Sequence, residues 1–549
     1  MTAALRSLFP RIQRPIRSLF YQQRPPTWQR YRIRLASSYT NRPPGRERLN
    51  TLVSDLQTFL GNVRDPKLVE PFVHGRLDQF FRATSVRHVA YAKAISCLAE
   101  NRRLKEAASV YERMTAEHLL PSPQTQAEML AIGLVLSSSD PSISQALEAI
   151  IKHPSYNEDQ FLHLLHIMTT IGVPHEHVLR VIDQFVDTQG QEYSPSRSIM
   201  TKLVGARAGA GLLDDALESA MQLGEREDFS PTESYVTIMK ALTGTDPSDT
   251  ASFTKALQAM KDNEVTPDIA IMNALISREL RRRSLQGAFS MYLVIMKLSL
   301  TSSFSPNRTT FGILFSALGK LYRPNLRSRG SDKVIAPRQL YRDLLFFRER
   351  TSFEMTSRLL NIALRAFIQT QDYAGVYVVL RTFGIFRLPV STKTYLIVTR
   401  HIIKRLRWDI SKAYKVEEPR WGSLFLGIPE VWALHKLNKL SDRELVEKML
   451  ASAAWSDFPL TGPLLGYTSE DKKVAYMTPT IAMINGEAIV PERMRFHLLP
   501  LQRFIRRAIL ASAAIDGDDL PAAKRVSRAI VEAKAQMFPG TEHPYATKD

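Results

Sequence analysis

The chain has a single cysteine, Cys97, which excludes an intramolecular disulfide framework and every zinc or iron–sulfur site built from several cysteines. It sits among apolar residues in YAKAISCLA and reads as a small core filler. No run of eighteen or more apolar residues occurs, so no membrane-spanning helix is expected. Walker-type glycine loops and nucleophile elbows are missing too. Acid is absent from residues 1–36, which hold eight arginines: Arg6, Arg11, Arg14, Arg17, Arg24, Arg30, Arg32 and Arg34. An Arg-rich, Ser-containing, acid-free start with Leu5, Leu8, Phe9 and Ile12 on one helical face has the pattern of a mitochondrial transit peptide. RLASSYT then supplies a processing site, with Arg34 upstream of a cut after Ala36. A basic RNA-binding tail is the alternative reading of the same residues.

What is present is length, charge and repetition. At 549 residues the chain is too long for one compact core, and 44% apolar with 23% charged residues is the composition of a folded protein. The net charge of +19 falls only to +11 without the eight N-terminal arginines, so the rest remains basic and favours polyanions.

Two stretches share one pattern: PDIAIMNALISRELRRRSLQGAF from Pro267 and PNRTTFGILFSALGKLY from Pro306. Further copies carry a leading apolar residue at Tyr91, Phe161, Met200, Tyr235, Met272, Phe311, Leu360 and Tyr395, with a degraded copy near QAEMLAIGLVL. The spacing centres on about 35 residues, the mark of a repeat array. In the first copy Tyr91, Ala94, Ile95 and Leu98 share one helical face, Arg102-Arg103 fills a turn, and Leu104, Ala107, Ala108, Tyr111 and Met114 form a second stripe. Leu120-Pro121 ends the unit. One helix pair cannot bury its stripe alone, whereas stacked pairs can. The expected fold is therefore all-α: an α-solenoid, a superhelix of helix-turn-helix repeats, with a small mixed C-terminal region.

MNALI, GLLDDA, VYERM and TPD each resemble one part of the pentatricopeptide repeat, and ALQAMKDNEVTPD resembles the whole unit ending. The chain is similar to that family over roughly residues 85–415. The resemblance implies a right-handed superhelix that binds single-stranded RNA, about one base per repeat. It further implies that the residue after the leading aromatic and the last residue of the repeat read a base together. Those pairs would be Ala92 with Ser122, Thr201 with Thr232, Val236 with Asp268, Asn273 with Asn307, and Asn361 with Val390. Only Asn273/Asn307 and Thr201/Thr232 offer two polar groups, and Leu162, Gly312 and Leu396 offer none. By the same resemblance Arg281, Lys320 and Lys404 would touch phosphate. Arg278, Arg282, Arg283, Arg400 and Arg405 thicken that patch.

Other chemistry finds little support. His163, His166, His175 and His177 in FLHLLHIMTTIGVPHEHVL have no fixed acidic ligand beside them and read as structural. Asp516, Asp518 and Asp519 in AIDGDDLP read as a turn and helix start. One cysteine excludes the paired cysteines that zinc-dependent RNA editing requires.

The expected organisation is a transit peptide (1–36), a linker with lead-in helices (37–84), the array (85–415), an irregular subdomain (416–496), and a basic helical hairpin with tail (497–549). Residues 416–496 hold Trp421, Trp432 and Trp455 and a hairpin signal in AMINGEAIV. An exposed loop is expected between Leu321 and Ala336. The function expected is that of a non-enzymatic, cofactor-free protein of the mitochondrial matrix that binds organellar RNA in transcript stability, processing or translation. The alternative is a structural or assembly component of the mitochondrial ribosome.

Overall fold

The computed structural model describes residues 45–62, 66–80, 84–137, 141–153, 156–190, 193–224, 231–301, 304–321, 335–412, 420–426, 437–440, 444–445, 498–512 and 521–538. The expected transit peptide, the hairpin at AMINGEAIV, the loop between Leu321 and Ala336, Trp432, Trp455 and the Asp516–Asp519 group lie outside these residues. Every element among the described residues is helical, and none is long and apolar enough to cross a membrane.

The chain forms two compact units that divide at Ile199/Met200. In the first, α1 (Gly45–Asn62) and α2 (Val69–Asp78) precede three helix pairs. These are α3 (Thr84–Glu100) with α4 (Leu104–Ala116), α5 (Pro123–Leu136) with α6 (Pro141–Ile151), and α7 (Glu158–Ile171) with α8 (His175–Gln189). The first helices pack on one another in order, and α3 also reaches α7 directly. There Arg102 Nε donates to the Thr170 carbonyl at 2.8 Å.

The second unit takes up α9 (Arg197–Gly209), which spans the division, with α10 (Leu213–Gly224), then α11 (Pro231–Thr245) with α12 (Thr250–Asp262). There follow α13 (Ile269–Arg281) with α14 (Leu285–Thr301), α15 (Arg308–Leu321) with α16 (Pro337–Thr351), and α17 (Ser357–Gln369) with α18 (Tyr373–Ile385). The first helices α11, α13, α15, α17 and α19 (Thr392–Lys412) pack each on the next. After α20 (Arg420–Leu426), the hairpin of α21 (Leu498–Ser512) and α22 (Ala522–Met537) packs on the second helix α18, and α22 also meets α16.

The repeat has three physical causes. First, seven of the eight leading residues are buried, from Tyr91 and Phe161 to Phe311 and Tyr395, while Met200 is half-buried. They feed cores such as the one joining Phe289, Tyr292, Phe315, Tyr341 and Phe367 in the second unit.

Second, the turn inside a pair is written in backbone. Arg102, Gly211, Arg283 and Gln371 each stand two residues before the second helix in left-handed conformation, with φ of 56°, 85°, 61° and 62°. The amide that follows each one bonds five residues back: Arg103 to Leu98, Leu212 to Arg207, Ser284 to Glu279, Asp372 to Phe367. This Schellman closure satisfies carbonyls that a helix end leaves open. The end of the second helix repeats it at His118, Glu264 and Arg387.

Third, the Pro-Asp and Pro-Asn punctuation is helix capping. Asp268 Oδ1 accepts from the amides of Ala270 and Ile271 at 2.9 Å, and Asn307 Oδ1 from Thr309 and Thr310 at 3.0 and 3.1 Å. Ser122 does the same for α5 through the Thr125 amide at 3.2 Å.

Candidate nucleic-acid interface

The first helices α13, α15 and α17 present their solvent-facing sides to one open groove of about 1150 Å³. Register explains who lines it. Ser277 and Ser316 stand five residues after their leading residues, and Arg281 and Lys320 nine after, so equivalent side chains recur from helix to helix. Gly312, Ile313, Leu359 and Ile362 complete an apolar floor. Each serine hydroxyl donates back to its own helix, Ser277 to Asn273 O and Ser316 to Gly312 O, both at 2.7 Å, and keeps its lone pairs for a donor.

Five cations line the groove (Arg281, Arg283, Arg308, Lys320 and Arg358) and no carboxylate joins them. Arg281 is held by one bond, Nη1 to the Thr243 carbonyl at 2.8 Å, at the C-terminal end of α11. Arg283 stands in the left-handed turn, exposed. The field continues onto α19. The Lys393 ammonium is pushed below its usual range by partial burial and by the like charges of Arg365 and Arg358.

The sequence-derived residues divide clearly. Arg281, Arg283 and Lys320 line the groove, and Lys404 is exposed on α19, beyond the lining residues. Arg282 turns instead to Glu279 at 3.2 Å. Arg278 pairs with the same carboxylate at 3.7 Å and lies 4.1 Å from the centre of the Phe253 ring. Asn273 and Asn307 are brought together, Asn273 Nδ2 donating to Asn307 Oδ1 at 3.3 Å. Asn273 is only 6% exposed, and its own Oδ1 is buried without a partner. Asn361 repeats that situation at 5% exposure, next to a Val390 that is also buried. Thr201 on α9 and Thr232 in the first turn of α11 are half-buried. The closing residues Ser122, Asp268 and Asn307 spend an oxygen on capping, so each has less left with which to read a base.

Arg308, Arg358, Thr309 and Thr356 were not foreseen from the sequence. Their signal was there: Arg308, Arg358 and Lys393 all fall in the first turn of a first helix, where the helix dipole disfavours a cation. A residue type repeatedly placed against its local preference points to a use elsewhere.

The first unit is arranged differently. Glu128 on α5 is 2% exposed and accepts from Ser96 of α3 at 2.7 Å, from Gln124 at 2.9 Å and from His163 of α7 at 3.1 Å. The bond to Glu128 raises the His163 pKa above its ordinary value. His163 thus has a carboxylate partner, while no group of three or more metal-type ligands occurs among the described residues. Cys97 is buried, which pushes its thiol up to about 12.

No family model and no curated protein matches this sequence. The solved structures it is similar to are pentatricopeptide repeat proteins. One is the pentatricopeptide repeat protein PPR10 from maize, 14% identical over 90% of this chain and 70% of that one, with a TM-score of 0.26. Another is PPR10 in complex with an 18-nt psaJ RNA element, 11% identical over 86% and 78%, with a TM-score of 0.27. The repeat assignment itself rests on the helix pairs, turns and caps of this chain.

Proposed function

We propose that the second unit binds single-stranded RNA along the groove of α13, α15 and α17, and that the protein acts on mitochondrial transcripts in stability, processing or translation. One observation carries the reading: five cations and no acid along first helices in register. A polyanion that neutralises such a surface releases its condensed counterions, which drives binding without sequence information. An extended strand would lay its phosphates along Arg281, Lys320 and Arg358 and its bases over the floor at Gly312 and Ile362. Held in this way, the segment is shielded from nucleases and kept out of secondary structure. The Arg-rich first 36 residues support the mitochondrial address. The reading assigns the protein no reaction.

The test removes charge where the groove has it. Arg281→Ala, Lys320→Ala and Arg358→Ala together should weaken every single-stranded RNA alike, by about a hundredfold, and lower the salt slope by about two units, at roughly 0.7 per phosphate. Lys93→Ala in the first unit is the control and should change neither. A triple variant that binds with the parent's affinity and slope would remove the groove from the account.

A second reading has an observation of its own. Asn273 and Asn361 are buried and Gly312 has no side chain, so few positions are equipped to select a base. Binding without selection suits a scaffold on ribosomal RNA as well as it suits a messenger. Salt-resistant co-sedimentation with the mitochondrial ribosomal small subunit would favour the scaffold.

A further inference from the structure

The helix α19 is longer than the first helices before it. It runs 21 residues, against 13, 14 and 13 for α13, α15 and α17. Its buried side carries Tyr395, Val398, Ile402, Leu406 and Ile410. Along another face run Lys393, Arg400, Lys404 and Trp408, spaced 7, 4 and 4 residues apart and therefore within about 60° of one another. Trp408 lies in the part that exceeds the ordinary helix length and is 48% exposed, whereas Trp421 is buried. The nearest acid on the helix, Asp409, is turned inward and accepts from the amides of Trp421 and Gly422 at 2.8 and 3.3 Å. An indole kept in water amid Lys and Arg lacks the surroundings of a core residue or of an ordinary solvated face.

We propose that Trp408 is a stacking platform for a nucleobase of the strand that leaves the groove, with Lys404 one turn before it holding the adjoining phosphate. The inference rests on the RNA reading above and extends it past the last helix pair. Lys393, placed between the cations of α17 and Arg400, makes the charged path continuous from groove to platform. Aromatic faces accept any base, and a neighbouring cation strengthens the contact electrostatically. This end of the track would hold the strand firmly without reading its sequence.

The experiment compares the parent, Trp408→Ala, Trp408→Phe and Lys404→Ala in the full chain, titrated with an unstructured RNA oligonucleotide over a salt series. Trp408→Ala should lose about tenfold in affinity with an unchanged salt slope, because stacking involves no phosphate. Trp408→Phe should recover most of that loss, since it retains a ring. Lys404→Ala should instead lower the slope by about 0.7. Trp emission should be quenched by RNA in the parent and less so in Trp408→Phe. If Trp408→Ala matches the parent in affinity, or loses slope along with affinity, the platform is wrong although the groove stands. Should the parent itself show no salt-dependent binding, groove and platform fall together.

Discussion

In the first unit α3, α5 and α7 carry two Lys or Arg against four acids, whereas α13, α15, α17 and α19 of the second carry twelve against two. The turns, caps and leading aromatics are the same in both. What differs is how the first helices are used. In the first unit they close on one another: α3 reaches α7, and Glu128 is sealed between Ser96 and His163. In the second they leave a groove that contains hydroxyls and cations only. The repeat therefore fixes a scaffold, and the polar residues on the first helices decide whether a stretch of it is filled by protein or left open to a ligand.

The contrast can be broken from either side. The largest effect is expected from Glu128→Ala, which strips three partners at once in a nearly dry site and should cost about 1–3 kcal/mol of first-unit stability, read by chemical denaturation. RNA affinity should not change. Next comes the opposite transplant, an acid in the open groove. Ser316 is exposed on α15 between the cations, so Ser316→Glu should weaken RNA binding by about tenfold at low salt and less at high salt.

A smaller effect comes from proton binding. The folded His163 pKa is raised, so the stability it contributes is complete below the ordinary value of 6.5 and is lost as pH climbs through the folded pKa. The first unit should melt lower at alkaline pH than at pH 6, and Glu128→Gln should remove most of that difference. The second unit contains no equivalent pair in its groove. The smallest effect sharpens the shared grammar: Gln371→Gly relieves a side chain held at φ 62° and should raise stability by about 0.5 kcal/mol, measured as a shift in midpoint.

Much of this was legible because it obeys periodicity. Tyr91, Phe161, Phe311 and Tyr395 mark buried faces, and each heads a first helix in the structure. The degraded copy at QAEMLAIGLVL is also a first helix, α5, although Glu128 interrupts its apolar face. That carboxylate is what the pattern could not explain, since its partners Ser96 and His163 come from other pairs, about one period away in either direction. The groove was half legible. Arg281 and Lys320 follow from register, whereas Asn273 as a base reader assumes an exposure that the packing does not give it. Whether a side chain at a given register opens to solvent depends on the adjacent helices, and a single repeat unit does not contain that information.

The pair α15 and α16 bears on how the chain may be strung. Three residues join α13 to α14, but fifteen separate Leu321 from Pro337. Closing the longer link costs roughly 1.4 kcal/mol more by chain statistics, and the pair forms regardless, with Phe315 and Tyr341 edge to face at 6.3 Å. The covalent order of the polypeptide is therefore least needed at this point. A protease cut or a new pair of termini placed between residues 322 and 334 should leave α16 seated by its aromatic contacts, so that the array behaves there as two strings of beads that happen to be tied.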